Sequence, residues 1–278
     1  MQIQWYPGHM TKARRALEEK LKLIDMVIEV VDARAPRATR NPDFDDLFSA
    51  KRRMLILNKA DLASERATAA WRAHFERGGW AAAVYSAANG SPKKLLGEIQ
   101  AAAEEIYAKY RAKGVNKVVR CLVAGIPNVG KSAILNRLAG SRKLKEGNTP
   151  GVTRSLQWVR LTPYLEMMDS PGLLWPKIED QEDAAKIALL GSIRDQVLDE
   201  DELAFYLIGM LAKAAPEAIP GRYGAEHMSE SWETLEAICR ARGYLARGGE
   251  CDTDRGVAAL LGDFRSGKLG RVSLELPE

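Results

Sequence analysis

Two short strings in this chain carry groups suited to holding a purine nucleotide, and they come in an unusual order. Residues 125–132, GIPNVGKS, have the GxxxxGK[ST] spacing of a phosphate-binding loop. Its glycines tolerate backbone conformations that bring N–H groups, here those of Asn128, Val129 and Gly130, around a β-phosphate. Lys131 would neutralise β- and γ-phosphate oxygens, and Ser132 would ligate magnesium. Residues 58–61, NKAD, have the groups to read a base. The Asp61 carboxylate can accept from guanine N1–H and from its exocyclic amine, a donor pair that adenine lacks. Lys59 would lay its aliphatic stem over the ring, and nucleobase choice rests on Asn58 together with Asp61. A buried polar group left unpaired is costly, so discrimination against adenine should be large. Ser86-Ala87-Ala88 fits the loop whose backbone N–H, that of Ala87, would meet guanine O6.

A third string, Asp169-Ser170-Pro171-Gly172, lies where a DxxG element belongs relative to Lys131. Asp169 would hold magnesium through water, and the Gly172 N–H would bond a γ-phosphate. Between the two, Thr153 is a candidate second magnesium ligand, with Thr149 as the alternative. Many GTPases place a water-orienting glutamine directly after DxxG. Here that position is Leu173, which cannot orient water, so this group must come from elsewhere.

The elements that must position these residues alternate between strand and helix. Short apolar runs at 25–31, 53–57, 80–85 and 117–124 read as buried strands, and helices are expected over 11–23, 64–77, 92–113 and 132–138. Residues 155–161 and 164–168 flank Thr162-Pro163 and predict an antiparallel hairpin. The pattern predicts an α/β domain, a mostly parallel sheet with helices on both faces. NKAD precedes the phosphate loop, the reverse of the ordinary order, so the expected fold is a circularly permuted P-loop GTPase domain over residues 1–177. From about residue 178 only helices are predicted (182–190, 200–214, 231–241, 254–265), a smaller all-α domain spanning 178–278.

Composition narrows the class of protein. The apolar stretch from Leu203 to Ala212 is far short of the roughly 20 residues that cross a bilayer. No apolar core follows the charged start, so a secretory signal is not expected. Three scattered cysteines show no metal spacing and read as reduced thiols in a cytoplasmic protein. The net charge of +4 is modest, but it is clustered: Lys12, Arg14, Arg15, Lys20 and Lys22 crowd the first helix, and Arg137, Arg142, Lys143, Lys145, Arg154 and Arg160 surround the segment after the phosphate loop. Two basic clusters on one nucleotide-binding chain tilt toward a polyanionic partner. No heptad seam is visible, so a monomer is the default.

With these motifs placed, the chain resembles the ribosome biogenesis GTPase A family, the circularly permuted YlqF-type GTPases. The resemblance rests on WYPGHMTKARR (5–15), DARAPRATRNP (32–42), NKAD, GIPNVGKS, NTPGVTR (148–154), DSPG and the tail at 247–277. It implies GTP hydrolysis acting as a checkpoint in late maturation of the large ribosomal subunit, with rRNA and ribosomal proteins as partners. It also implies an RNA-binding helical domain, GTP and GDP as ligands, magnesium, and stimulation by potassium. Asn128 would help hold that potassium, the alternative being that it only shapes the turn. A histidine in the PGHM segment, here His9, would act in hydrolysis. A competing reading is an rRNA-binding chaperone whose nucleotide sets affinity and whose hydrolysis is incidental. Because the chain runs from Asp169–Gly172 directly into the C-terminal helices, a γ-phosphate that orders DxxG is expected to reposition them.

Overall fold

The computed structural model describes residues 8–141, 144, 156–176, 178–193 and 199–278, the side chains of residues 8 and 9 excepted. Thr149, Thr153, Arg142, Lys143, Lys145 and Arg154 lie outside the described residues, as does the side chain of His9.

Six strands form one sheet: β1 (Met26–Asp32), β2 (Arg52–Asn58), β3 (Ala81–Val84), β4 (Val119–Ala124), β5 (Gln157–Thr162) and β6 (Leu165–Asp169). Their lateral order is β3-β2-β1-β4-β6-β5, all parallel except the edge pair β5–β6, which is antiparallel. β1 is central and buried at every position, as its MVIEVVD sequence demands of a strand covered on both faces. Its one misfit, Glu29, is fully buried; Arg53 donates to it at 2.8 Å and Arg40 lies 3.6 Å away. Burial raises the Glu29 pKa, and the two arginines oppose that rise.

Helices connect the parallel strands as such connections require. They are α1 (Gly8–Lys20), preceding β1, then α2 (Asp43–Leu47), α3 (Glu65–Arg77), α4 (Pro92–Ala102), α5 (Glu104–Arg111) and α6 (Lys131–Ala139). The single helix expected over 92–113 is two helices. Ala103, fully buried, shares its amide between the Ile99 and Gln100 carbonyls and interrupts the regular pattern. Ser64 and Ser91 cap α3 and α4 with their hydroxyls.

Beyond residue 178 the longer elements among the described residues are helices: α7 (Gln181–Leu189), α8 (Glu200–Ala214), α9 (Ala218–Tyr223), α10 (Ser231–Arg242) and α11 (Thr253–Arg265). The short α9 is absent from the sequence expectations because its AIPGRY run contains both proline and glycine. α8, α10 and α11 pack on one another, and α7 packs on α8. Residues 266–275 then run back across the first part of the chain. Leu274 N donates to Arg34 O (2.7 Å), Val272 N to Leu62 O (3.0 Å), and Trp71 Nε1 to Glu275 O (3.2 Å). One buried apolar cluster runs from Met10 to Leu274 through both parts.

Candidate nucleotide site

The phosphate loop leaves β4 and enters α6 with Gly130 at φ 94° and Asn128 at φ 63°, both in the left-handed region. A Cβ on Gly130 would lie 2.3 Å from Asn58 Nδ2, so no other residue fits there. That contact brings together the two strings that are far apart in sequence. Asn58, at the end of β2 and buried, donates from Nδ2 to Val129 O at 2.8 Å and accepts from the Ala87 amide at 3.2 Å. One side chain thus joins the NKAD loop, the phosphate loop and the Ser86–Ala87 loop. The parallel strands β2, β4 and β3 deliver the three loops to one end of the sheet.

Lys131 is buried, and its ammonium donates to Gly125 O (3.1 Å) and Ile126 O (2.8 Å). Burial lowers its pKa to about 8, with Asp169 opposing. Ser132 Oγ donates to Asp169 Oδ2 at 2.6 Å, and Asp169 is fully buried at the end of β6. Gly172 packs against the phosphate loop so closely that a Cβ would lie 2.5 Å from Pro127 backbone atoms. Leu173 N donates to Gly125 O, and the Leu173 side chain is 5% exposed within the apolar core. The leucine standing in the water-orienting position is a packing residue. Ser86 supports its own turn by accepting from Asn89 N at 3.3 Å.

Several supporting residues carry no signal in a motif search. Lys59, at φ 58°, places its ammonium 3.1 Å from Asp32 Oδ2. Arg34 donates from Nη2 to the same oxygen at 2.9 Å and from Nε to Oδ1 at 3.0 Å. Burial alone would raise the Asp32 carboxyl, but Arg34 and Lys59 outweigh it and hold it well below the usual carboxylate range. Asn128 Nδ2 donates to Leu190 O (3.2 Å), and Ser192 Oγ donates to Pro127 O (2.7 Å). The end of α7 is therefore seated on the phosphate loop, and Arg265 secures it by donating to Ala188 O and Leu189 O. The sequence expectation routed coupling to the C-terminal helices through DxxG alone; these bonds add a second, non-covalent route. Asp32 and Arg34 stand in the DARAP string, but only the coordinates give them a task.

Comparison with known proteins agrees with this geometry. Residues 120–217 match the family described as "50S ribosome-binding GTPase". The ribosome biogenesis GTPase A of Bacillus cereus is 42% identical over 281 aligned positions, covering 100% of this chain and 95% of that protein. The chain belongs to the ribosome biogenesis GTPase A family. The member from Thermotoga maritima is 35% identical over 99% of this chain and 95% of its own length. Among solved structures, GNP-bound YlqF from T. maritima is 31% identical, covers 96% of this chain and 99% of its own, and superposes with a TM-score of 0.69. As a ribosome biogenesis GTPase A family member, the chain is a circularly permuted P-loop GTPase that binds GTP and GDP. Counting strands from β4 restores the ordinary order, phosphate loop first and base loop after it.

Proposed function

We propose that this protein binds the immature large ribosomal subunit and uses GTP hydrolysis to time its release, as a late assembly checkpoint in the cytoplasm. The observation that carries the nucleotide half of this reading is Asn58 bonding at once to Val129 and Ala87. The subunit half draws on the relatives named for ribosome biogenesis and on the basic first helix with the turn after it, where Lys12, Arg14, Arg15, Lys20 and Lys22 gather. The helices from residue 178 onward are proposed as the RNA-binding part, acting as a monomer.

Within the site, Asn58, Lys59, Asp61, Ser86 and Ala87 would hold guanine. The backbone of Asn128, Val129 and Gly130, together with Lys131, would hold the phosphates, and Gly172 would meet the γ-phosphate. The Ser132 hydroxyl beside the buried Asp169 carboxylate is a pair of hard oxygen donors suited to magnesium. When bound, that ion would neutralise charge on the β- and γ-phosphates. Thr153, or Thr149, would complete its shell. Asn128 Nδ2 is held by Leu190 O, which leaves its Oδ1 to face a potassium ion. Leu173 is buried and apolar; the group acting on the attacking water is proposed, on the family resemblance alone, to be His9.

Co-sedimentation with ribosomal subunits in GDP and in a non-hydrolysable GTP analogue tests the reading. Binding selective for the large-subunit precursor, stronger with the analogue and weakening steeply with salt, is the expected result. Equal binding in both nucleotides would overturn the checkpoint.

A further inference from the structure

The loop that carries Asp61 does not hold its own shape. Lys59 sits in the left-handed region, and a turn closes from Leu62 N to Lys59 O at 2.9 Å. The carbonyls that follow are satisfied from the tail, not from the loop's neighbours in sequence. Arg271 Nη2 donates to Ala60 O at 2.8 Å and its Nε to Ala63 O at 2.9 Å. Val272 N donates to Leu62 O, and Ser64 N is accepted by Ser273 Oγ at 3.1 Å. Arg271 also pairs with Glu65. Asp61 is thereby bracketed on both sides by carbonyls that one guanidinium grips. Arg271 and Asp61 also line the same cavity of about 410 Å³ beside Ser86 and the start of α4.

We infer that Arg271 is a positioning residue for guanine selection: its fork fixes the backbone on either side of Asp61, so the carboxylate meets the base at the correct angle. A planar fork suits this task because its donors leave in fixed directions, whereas a lysine ammonium is a single point charge on a flexible stem. The tail carries an anchor of its own just beyond this grip. The buried Glu275 carboxylate accepts from the Arg37 and Ala38 amides and lies 3.3 Å from Lys186, so Arg271 is held from a fixed base. The inference rests on the proposed role of Asp61.

The test compares GDP with IDP, which lacks the exocyclic amine and so forgoes one of the two bonds to Asp61. Wild-type protein should prefer GDP strongly; near-equal affinities would overturn the role of Asp61, and this inference with it. With that preference in hand, Arg271→Ala should lower the GDP-to-IDP affinity ratio by about tenfold, the worth of one charge-assisted hydrogen bond. Arg271→Lys should recover part of the ratio. In an Asp61→Ala background, Arg271→Ala should leave the ratio unchanged, because the group it positions is gone. An unchanged ratio in Arg271→Ala, whether both affinities fall together or neither falls, would overturn the inference. So would a further loss of ratio in the Asp61→Ala background.

Discussion

At the scale of single residues, Asn58 and Lys131 matter for opposite reasons. Asn58 works as a brace, with both ends of its amide committed to other loops. Asn58→Ala would strand the buried Val129 carbonyl, at a cost of about 1–3 kcal/mol, and the partly buried Ala87 amide. GDP affinity should fall by at least about tenfold, read by displacement of a fluorescent nucleotide. Lys131 works by charge, and burial puts its pKa at about 8. Phosphate oxyanions would raise that value, so binding above pH 8 should take up a proton. Affinity should be full near pH 7 and fall as pH rises through 8. Calorimetry in buffers of different ionisation enthalpy measures the uptake, and Lys131→Arg should abolish it. Gly172 is a third case: with Pro127 backbone 2.5 Å from any added Cβ, Gly172→Ala should displace DxxG and depress hydrolysis more than GDP binding. Steady-state turnover set against GDP affinity separates the two.

At the scale of elements, the group formed by Asp32, Arg34 and Lys59 fastens the end of β1 to the NKAD loop. Removing one partner of a buried pair typically costs about 3–5 kcal/mol because the other charge is left uncompensated. Arg34→Met should lose that much stability in urea unfolding at pH 7. Arg34 helps depress the Asp32 pKa in the folded state, so the stability it confers is present above about pH 4 and lost as pH falls further. The gap between wild type and variant should therefore narrow in acid. The strands and most helices were legible in the chain because apolar runs and caps are local signals. Ser64 and Ser91, whose hydroxyls cap α3 and α4, stand at two of those helix starts. The break at Ala103 was not legible, since nothing in QAAAEE announces an interruption. Nor was α9, whose proline and glycine argue against a helix that packing nonetheless supports.

At the scale of the whole molecule, the nucleotide motifs could be read directly because a phosphate loop needs fixed residue types at fixed spacing. Their supports could not. Leu190 lends a carbonyl and Ser192 a hydroxyl, roles that many residues could fill and that depend on where α7 ends. Arg271 lies about two hundred positions from the loop it grips, a partnership that only the fold creates. The seat of α7 on Pro127 and Asn128 carries a prediction at this scale. If the phosphate loop moves with its ligand, amide exchange in α7, α8 and α11 should be slower with a GTP analogue than with GDP. Equal exchange in both would mean that the helices do not sense the nucleotide.

The return of the tail also bears on how the molecule is made. Residues 58–64 are translated early, but the partners for the Ala60, Leu62 and Ala63 carbonyls arrive about two hundred residues later. A nascent chain halted after α11 would contain every recognised nucleotide motif, yet its base-selecting loop would still be waiting for Arg271 and Val272. On the inference drawn for Arg271, selectivity for guanine would be completed only late in synthesis.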